Sequence, residues 1–196
     1  MNDKSPRPRR KHDTRNFEPF VLWFTGLSAS GKTTLAGLLH KELAKSGFRS
    51  FVLDGDLLRS GLCDDLGFST QDRAENVRRA GEVARLLVEA GLVVIAAFIS
   101  PYMADRDRIR SRFGKGQFYE IFLECPIEIC SQRDPKGLYG KAREGLIPNF
   151  TGVSDPYEPP SAPDLVIRTG ELTVQQSLKM LHQFFLDRCL TQEKSR

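Results

Sequence analysis

The stretch FTGLSASGKTTLAGLLHKELAKSG, residues 24–47, restricts the fold more than any other part of the chain. Within it GLSASGKT, Gly26 to Thr33, fits G-x-x-x-x-G-K-[ST] without a mismatch, with an apolar run before it and an amphipathic helix pattern after it. Gly26 and Gly31 allow a tight loop whose backbone N–H groups point inward, and a helix starting near Lys32 adds its positive dipole end. Such a loop cradles phosphates: Lys32 reaches the β- and γ-phosphates of a bound nucleotide and Thr33 offers its hydroxyl to Mg²⁺.

The rest of the chain supplies a scaffold for that loop. Short runs rich in Val, Ile and Phe at 20–25, 49–54, 92–99, 118–124 and 164–168 alternate with helical patterns, the signature of a parallel sheet wrapped by helices. Leu35, Leu38, Leu39 and Leu43 form one helix face ahead of Gly47, and Val77, Ala80, Ala84, Leu87 and Val88 another ahead of Gly91. Ser69-x-x-Asp72 and Thr173-x-x-Gln176 read as helix starts, and Ser100-Pro101 as an N-cap followed by proline at the first helical position. The expectation is an α/β domain, doubly wound, with a five-stranded parallel sheet and helices on both faces. Residues 133–163 break the pattern with six Pro and four Gly and read as a lid or binding loop, the lid proper at about 133–160.

A chain of 196 residues suits one such domain, assigned to 19–190, with a short tail at 191–196. The net charge of +4 resides in residues 1–16, which hold six Lys/Arg against two Asp, so the remainder is formally neutral. Residues 1–18 therefore read as a solvated basic extension without fixed structure, and the body has no basic excess that would point to nucleic acid. With no apolar run of membrane-spanning length and no secretory leader, the expectation is a cytoplasmic protein without membrane contact. Cys63, Cys125, Cys130 and Cys189 contain no Cys-x-x-Cys pair and read as reduced thiols.

The class of nucleotide enzyme follows from where carboxylates stand. Switch and motor NTPases end a further apolar strand in an Asp that holds Mg²⁺, whereas LVVIAAFIS ends in Ser100. The nearest strand-end carboxylates are Asp54 and Asp56 of VLDGD, placed to meet a phosphoryl acceptor as well as the metal. This arrangement points to a small-molecule kinase.

From about Phe20 to Leu186 the chain resembles the adenylylsulfate kinases (APS kinases), on the blocks GLSASGKTT, LDGDLLRSGLCDDLGFSTQDRAENVRR, GLVVIAAFISPYMADRDRIR, RDPKGLYGKAREGLIPNFTG and DPYEPP. The resemblance implies ATP as donor, Mg²⁺ as metal and the ribose 3′-hydroxyl of adenylylsulfate (APS) as acceptor, giving 3′-phosphoadenylylsulfate (PAPS). It assigns ATP to Gly26, Leu27, Ser28, Ala29, Ser30, Gly31, Lys32, Thr33 and Thr34, with Arg133 nearby, and the metal to Thr33 and Asp56. Asp56 becomes the base or orienting group, supported by Asp54, and Lys141 of the lid brings a charge to the migrating phosphoryl group. Arg59, Arg73 and Asn76 match positions that bind the anionic acceptor, and Phe68 and Phe150 match a pair that holds its adenine. Ile99, Lys136 and Leu138 complete the acceptor set, and Ser100 matches a position that carries a phosphoserine in some members. A homodimer and an ATP sulfurylase partner also follow from the resemblance.

Two positions depart from the family pattern. Leu57 stands where the family usually has Asn after the second Asp, which removes an amide near the acceptor. Ala29 stands where it usually has Gly, and is compatible with the loop if its φ is negative. Two other readings remain at this point: a kinase of the same fold with another small acceptor, and a non-catalytic nucleotide sensor. Asp54 is compatible with plain turn capping, and Phe68 and Phe150 with core packing.

Overall fold

The computed structural model describes residues 17–193; most of the expected basic extension and residues 194–196 of the expected tail lie outside the described residues. Five strands, β1 (Val21–Thr25), β2 (Ser50–Asp54), β3 (Val93–Ala97), β4 (Phe118–Glu124) and β5 (Leu165–Arg168), form one sheet in the order β2-β3-β1-β4-β5. Every pairing is parallel. The central strand VLWFT has no polar face because both its sides are covered, as a parallel sheet between helices demands.

One face is covered by α1 (Lys32–Lys45) and the C-terminal α7 (Val174–Glu193): Leu35, Leu39 and Leu43 pack with Leu181 and Phe185 against Leu22, Phe24 and Ile95. The other is covered by α3 (Thr70–Glu89) and α4 (Met103–Arg110), where Val77, Ala80 and Ala84 meet Ile109, Trp23 and Phe98. Both expected helix stops hold, with Gly47 and Gly91 at φ 83° and 87° just past the ends of α1 and α3. Two expected caps are also present. Ser69 accepts from the Asp72 N–H at 3.1 Å, and Thr173 and Gln176 exchange hydrogen bonds ahead of α7.

The Ser100-Pro101 start is not what forms. α4 begins at Met103 behind Tyr102, and Ser100 sits at φ 39° with its Oγ accepting from the buried Trp23 Nε1 at 3.1 Å. The competing indole donor, which only the folded sheet brings near, takes the hydroxyl that would have capped the helix.

Shorter elements frame one end of the sheet: α2 (Gly55–Arg59) after β2, then α5 (Ile127–Arg133) and α6 (Leu138–Arg143) after β4. Since α1 leaves β1 toward one face and α4 leaves β3 toward the other, a crevice opens between the C-terminal ends of these adjacent strands. Open α/β sheets bind ligands at this kind of switch point. Among the described residues no helix is long and apolar enough to cross a membrane, and the four cysteines are buried and form no disulfide with one another.

Candidate active site

The loop between β1 and α1 wraps tightly because its glycines let it. Gly26 has φ 147°, and a Cβ there would stand 2.6 Å from the Leu123 carbonyl oxygen, so no side chain fits. Gly31 opens α1 at φ 100°. Lys32 folds back over the loop, its Nζ donating to Gly26 O at 2.9 Å and Leu27 O at 2.6 Å, with Ser30 Oγ at 3.4 Å. Burial pushes this ammonium down to about 8, against the opposing pull of Asp54 and Asp56. A polyphosphate arriving at the loop would exchange those carbonyls for anionic oxygens and restore the charge.

Ala29 corrects the expectation made for it. Its φ is +61°, not negative, because it occupies the third position of a four-residue turn closed by the Ser30 N–H on Leu27 O at 3.2 Å. With Ser28 before it outside the left-handed region, the turn is of type II, which places that position in the left-handed region, where an L-residue with a Cβ costs about 1–2 kcal/mol. The other non-glycine residues with positive φ among the described residues are Ser100 and Asn149. Ser100 lines the cavity below and Asn149 precedes Phe150, which also lines it, so backbone strain gathers here.

Thr33 and the two Asp carboxylates lie on one wall. The Thr33 hydroxyl donates to Asp54 Oδ2 at 2.8 Å, and Asp54 Oδ1 accepts the Asp56 N–H at 2.9 Å, so Asp54 caps α2 and fixes the Thr33 hydroxyl at once. Asp56 is exposed and holds Lys136 of the lid in an ion pair. A pair this open to water contributes little and is readily exchanged for another partner.

A single cavity of about 970 Å³ runs from these groups in two directions. One end is lined by Arg59, Phe68, Arg73, Asn76, Phe150 and Thr151. Arg59 donates to Leu66 O and Gly67 O and lies 4.3 Å above the Phe68 ring, so it holds the loop that presents that half-exposed aromatic. Phe150 is buried edge-on against Tyr139, whose hydroxyl donates to Ser28 O at 3.0 Å, tying the lid to the phosphate loop. Asn76 Nδ2 and Thr151 Oγ1 are buried without any hydrogen-bond partner. Orphaned donors in a cavity wall are costly unless a ligand answers them.

The other end is lined by Arg133, Thr169, Leu172, Val174 and Ser177. Arg133 donates to Thr169 O at 2.6 Å, and the Thr169 hydroxyl to Ser30 O at 2.8 Å, which joins β5 to the phosphate loop. Sequence reasoning found Arg133 here but missed Thr151, Thr169, Leu172, Val174 and Ser177. Only sheet order brings the segment after β5 beside the loop after β1, and no spacing signals it.

Of the remaining expected residues, Ser28, Ala29, Ser30, Gly31, Thr34, Ile99, Ser100, Lys136 and Leu138 also line the cavity. Gly26 and Leu27 lie behind it as carbonyl partners of Lys32, and Lys141 is exposed on α6 outside it. Leu57 is exposed on α2 and does not line the cavity. Cys130 lies close enough to Lys32 for their charges to interact, but burial pushes its thiol up to about 12, so it offers no thiolate at neutral pH.

The sequence model described as adenylylsulphate kinase matches residues 18–168. The adenylyl-sulfate kinase of Acaryochloris marina (strain MBIC 11017) is 52% identical over 175 residues, 89% of this chain and 85% of that protein. That of Shewanella pealeana (strain ATCC 700345 / ANG-SQ1) is 58% identical over 167 residues, 84% of this chain and 82% of its own. Among solved structures, the Mycobacterium tuberculosis APS kinase CysC in complex with AMPPNP and APS superposes with a TM-score of 0.82 at 42% identity, covering 86% of this chain and 98% of that one.

Proposed function

The chain belongs to the adenylylsulphate kinase family, and from that premise we propose that it phosphorylates the ribose 3′-hydroxyl of adenylylsulfate with ATP, giving 3′-phosphoadenylylsulfate and ADP. The observation that carries the acceptor half is the orphaned Nδ2 of Asn76, buried beside Arg59, Arg73 and the two phenylalanines. An acceptor with one flat ring and two anionic groups answers each of these: the rings stack on the base, the guanidinium groups take the phosphate and sulfate, and the amide finds a polar partner.

ATP fits the other end, its purine against Leu172 and Val174 and its phosphates on the loop and Lys32. The oxygen donors Thr33, Asp54 and Asp56 suit Mg²⁺, which takes one or two carboxylates and completes its shell with phosphate and water. That ion would be held by Thr33 and Asp56 and would supply charge neutralisation at the transferring group. Asp56 orients the attacking hydroxyl and takes its proton, and Lys32 stabilises charge on the equatorial oxygens. Because donor and acceptor occupy opposite ends of one cavity, transfer is direct and in line, without a phospho-enzyme. A homodimer, and an ATP sulfurylase that supplies the acceptor, belong to the same reading.

The test is ADP release from MgATP with adenylylsulfate, AMP or shikimate as acceptor. Turnover is expected with adenylylsulfate, with the new phosphate on the 3′-oxygen. Good turnover with another acceptor and none with adenylylsulfate would assign the chain to a different kinase.

A further inference from the structure

Arg73 engages the lid as well as the cavity. Its Nη2 donates to Asn149 O at 2.6 Å and its Nε to Phe68 O at 3.2 Å, while Asp155 Oδ2 lies 3.8 Å from that same Nε as an ion-pair partner. The Asp155 oxygen accepts in turn from the Tyr102 hydroxyl at 2.8 Å, and Tyr102 stands in the β3–α4 connection. Three segments far apart in sequence therefore meet at one carboxylate: the first turn of α3, the loop after β3, and the return of the lid.

The lid return is a rigid unit. Phe150 O accepts the N–H groups of Val153, Ser154 and Asp155, Gly152 donates to Asp155 O at 2.7 Å, and Ser154 Oγ accepts the Phe150 N–H at 2.9 Å. Whatever fixes Asp155 thus fixes Phe150 and Thr151. The electrostatics run the same way: burial works against the charge on Arg73, and Asp155 is the first group that favours it. Both side chains are largely shielded, at 10% and 16% exposure, so water screens the pair less than it would at the surface. Burial and the Asp155 hydrogen bond raise the Tyr102 pKa above its ordinary value, so it remains a phenol donor at neutral pH.

We propose that Asp155 and Tyr102 are positioning residues for acceptor binding: Tyr102 fixes the Asp155 carboxylate, which orients the Arg73 guanidinium and docks the 149–155 turn on α3. The cationic and aromatic halves of the acceptor end then form together. This rests on the acceptor reading above and adds two residues to which that reading assigns no role. Neither touches the transferring group, so their loss weakens acceptor capture and leaves ATP binding and the chemical step alone.

The experiment is steady-state kinetics of Asp155→Asn, Tyr102→Phe and the double variant, varying adenylylsulfate and ATP separately. A hydrogen bond or ion pair to a charged group is worth enough that Asp155→Asn should raise the adenylylsulfate KM about tenfold. Turnover at saturating acceptor and the ATP KM should stay within about twofold, since neither group meets the donor. Tyr102→Phe should raise the acceptor KM about threefold, and the double variant should be no worse than Asp155→Asn alone, because both act through one carboxylate. An unchanged acceptor KM in Asp155→Asn overturns the proposal, as does a lower one, which would make Asp155 a competitor for Arg73. A parallel rise in the ATP KM overturns it too, as general damage to the fold. If Asp155→Asn does not fold, Tyr102→Phe, which removes one exchangeable hydroxyl, decides by the same split. Failure of the wild-type chain to use adenylylsulfate overturns the acceptor reading itself, an outcome distinct from normal turnover with unaffected variants.

Discussion

Lys32 shows how a single residue stores the readiness of the site. Held by loop carbonyls and cut off from water, its ammonium is lowered to about 8 from the ordinary 10.5. The native chain therefore binds fewer protons than the unfolded one between these values, so this group makes stability rise with pH across that window and penalises the fold below it. MgATP bound on the loop, as proposed, would replace the missing solvation with negative charge and drive the pKa back up. Binding at pH 8 should accordingly take up about half a proton, falling to about a tenth at pH 7. Titration calorimetry in two buffers of different ionisation enthalpy reads this directly, and Lys32→Met should abolish it. Proton release on binding, or an uptake that persists in Lys32→Met, would mean that another group is responsible.

At the scale of elements, the pairing of α3 and α4 turns on one missing side chain. A Cβ at Gly81 would lie 2.4 Å from Ile109 Cδ1 and 2.8 Å from its Cγ2, so the glycine is there because the whole isoleucine side chain lies against α3. Gly81→Ala should lose about 1–3 kcal/mol to overpacking and recover up to about 1 kcal/mol from helix propensity. The urea midpoint should fall with an unchanged slope, and Ile109→Val in the same chain should restore part of it. A midpoint that rises instead would mean that the two helices have slack to separate. The consequence reaches the site, since α3 carries Arg73 and Asn76 and the connection into α4 carries Ser100 and Tyr102.

At the scale of the whole molecule, the proposed transfer brings two nucleotides together in a crevice that the sheet alone leaves open. The lid covers it through contacts that differ in strength: an exposed ion pair from Lys136 to Asp56, a hydrogen bond from Tyr139 to Ser28, and the partly buried contacts of Arg73 with Asn149 and Asp155. The last of these lie at the end of the cavity proposed for the acceptor. Adenylylsulfate should therefore protect residues 133–155 from trypsin, at the exposed Lys141 and Arg143 of α6, several-fold better than MgATP alone. Mass spectrometry of timed digests measures both rates. Equal protection by the two ligands would place the closing contacts at the donor end.

What was legible in the sequence is whatever local chemistry dictates. Glycine spacing before Lys32 specifies a phosphate loop, the alternation of apolar runs with helical faces specifies a wrapped parallel sheet, and Ser69 and Thr173 specify helix starts, since each depends on residues a few positions apart. Long-range competition stayed invisible. Ser100 reads as a cap until Trp23, 77 residues away, takes its hydroxyl, and Ala29 reads as unstrained until the turn around it demands a left-handed residue. Thr169, Leu172 and Val174 carry no local signal, because their place in the cavity comes from β4 and β5 joining the sheet beside β1. The chemistry of the loop belongs to the sequence. The assembly of the site around it belongs to the strand order, since only the folded open sheet brings the orphaned donors of Asn76 and Thr151 to line one cavity.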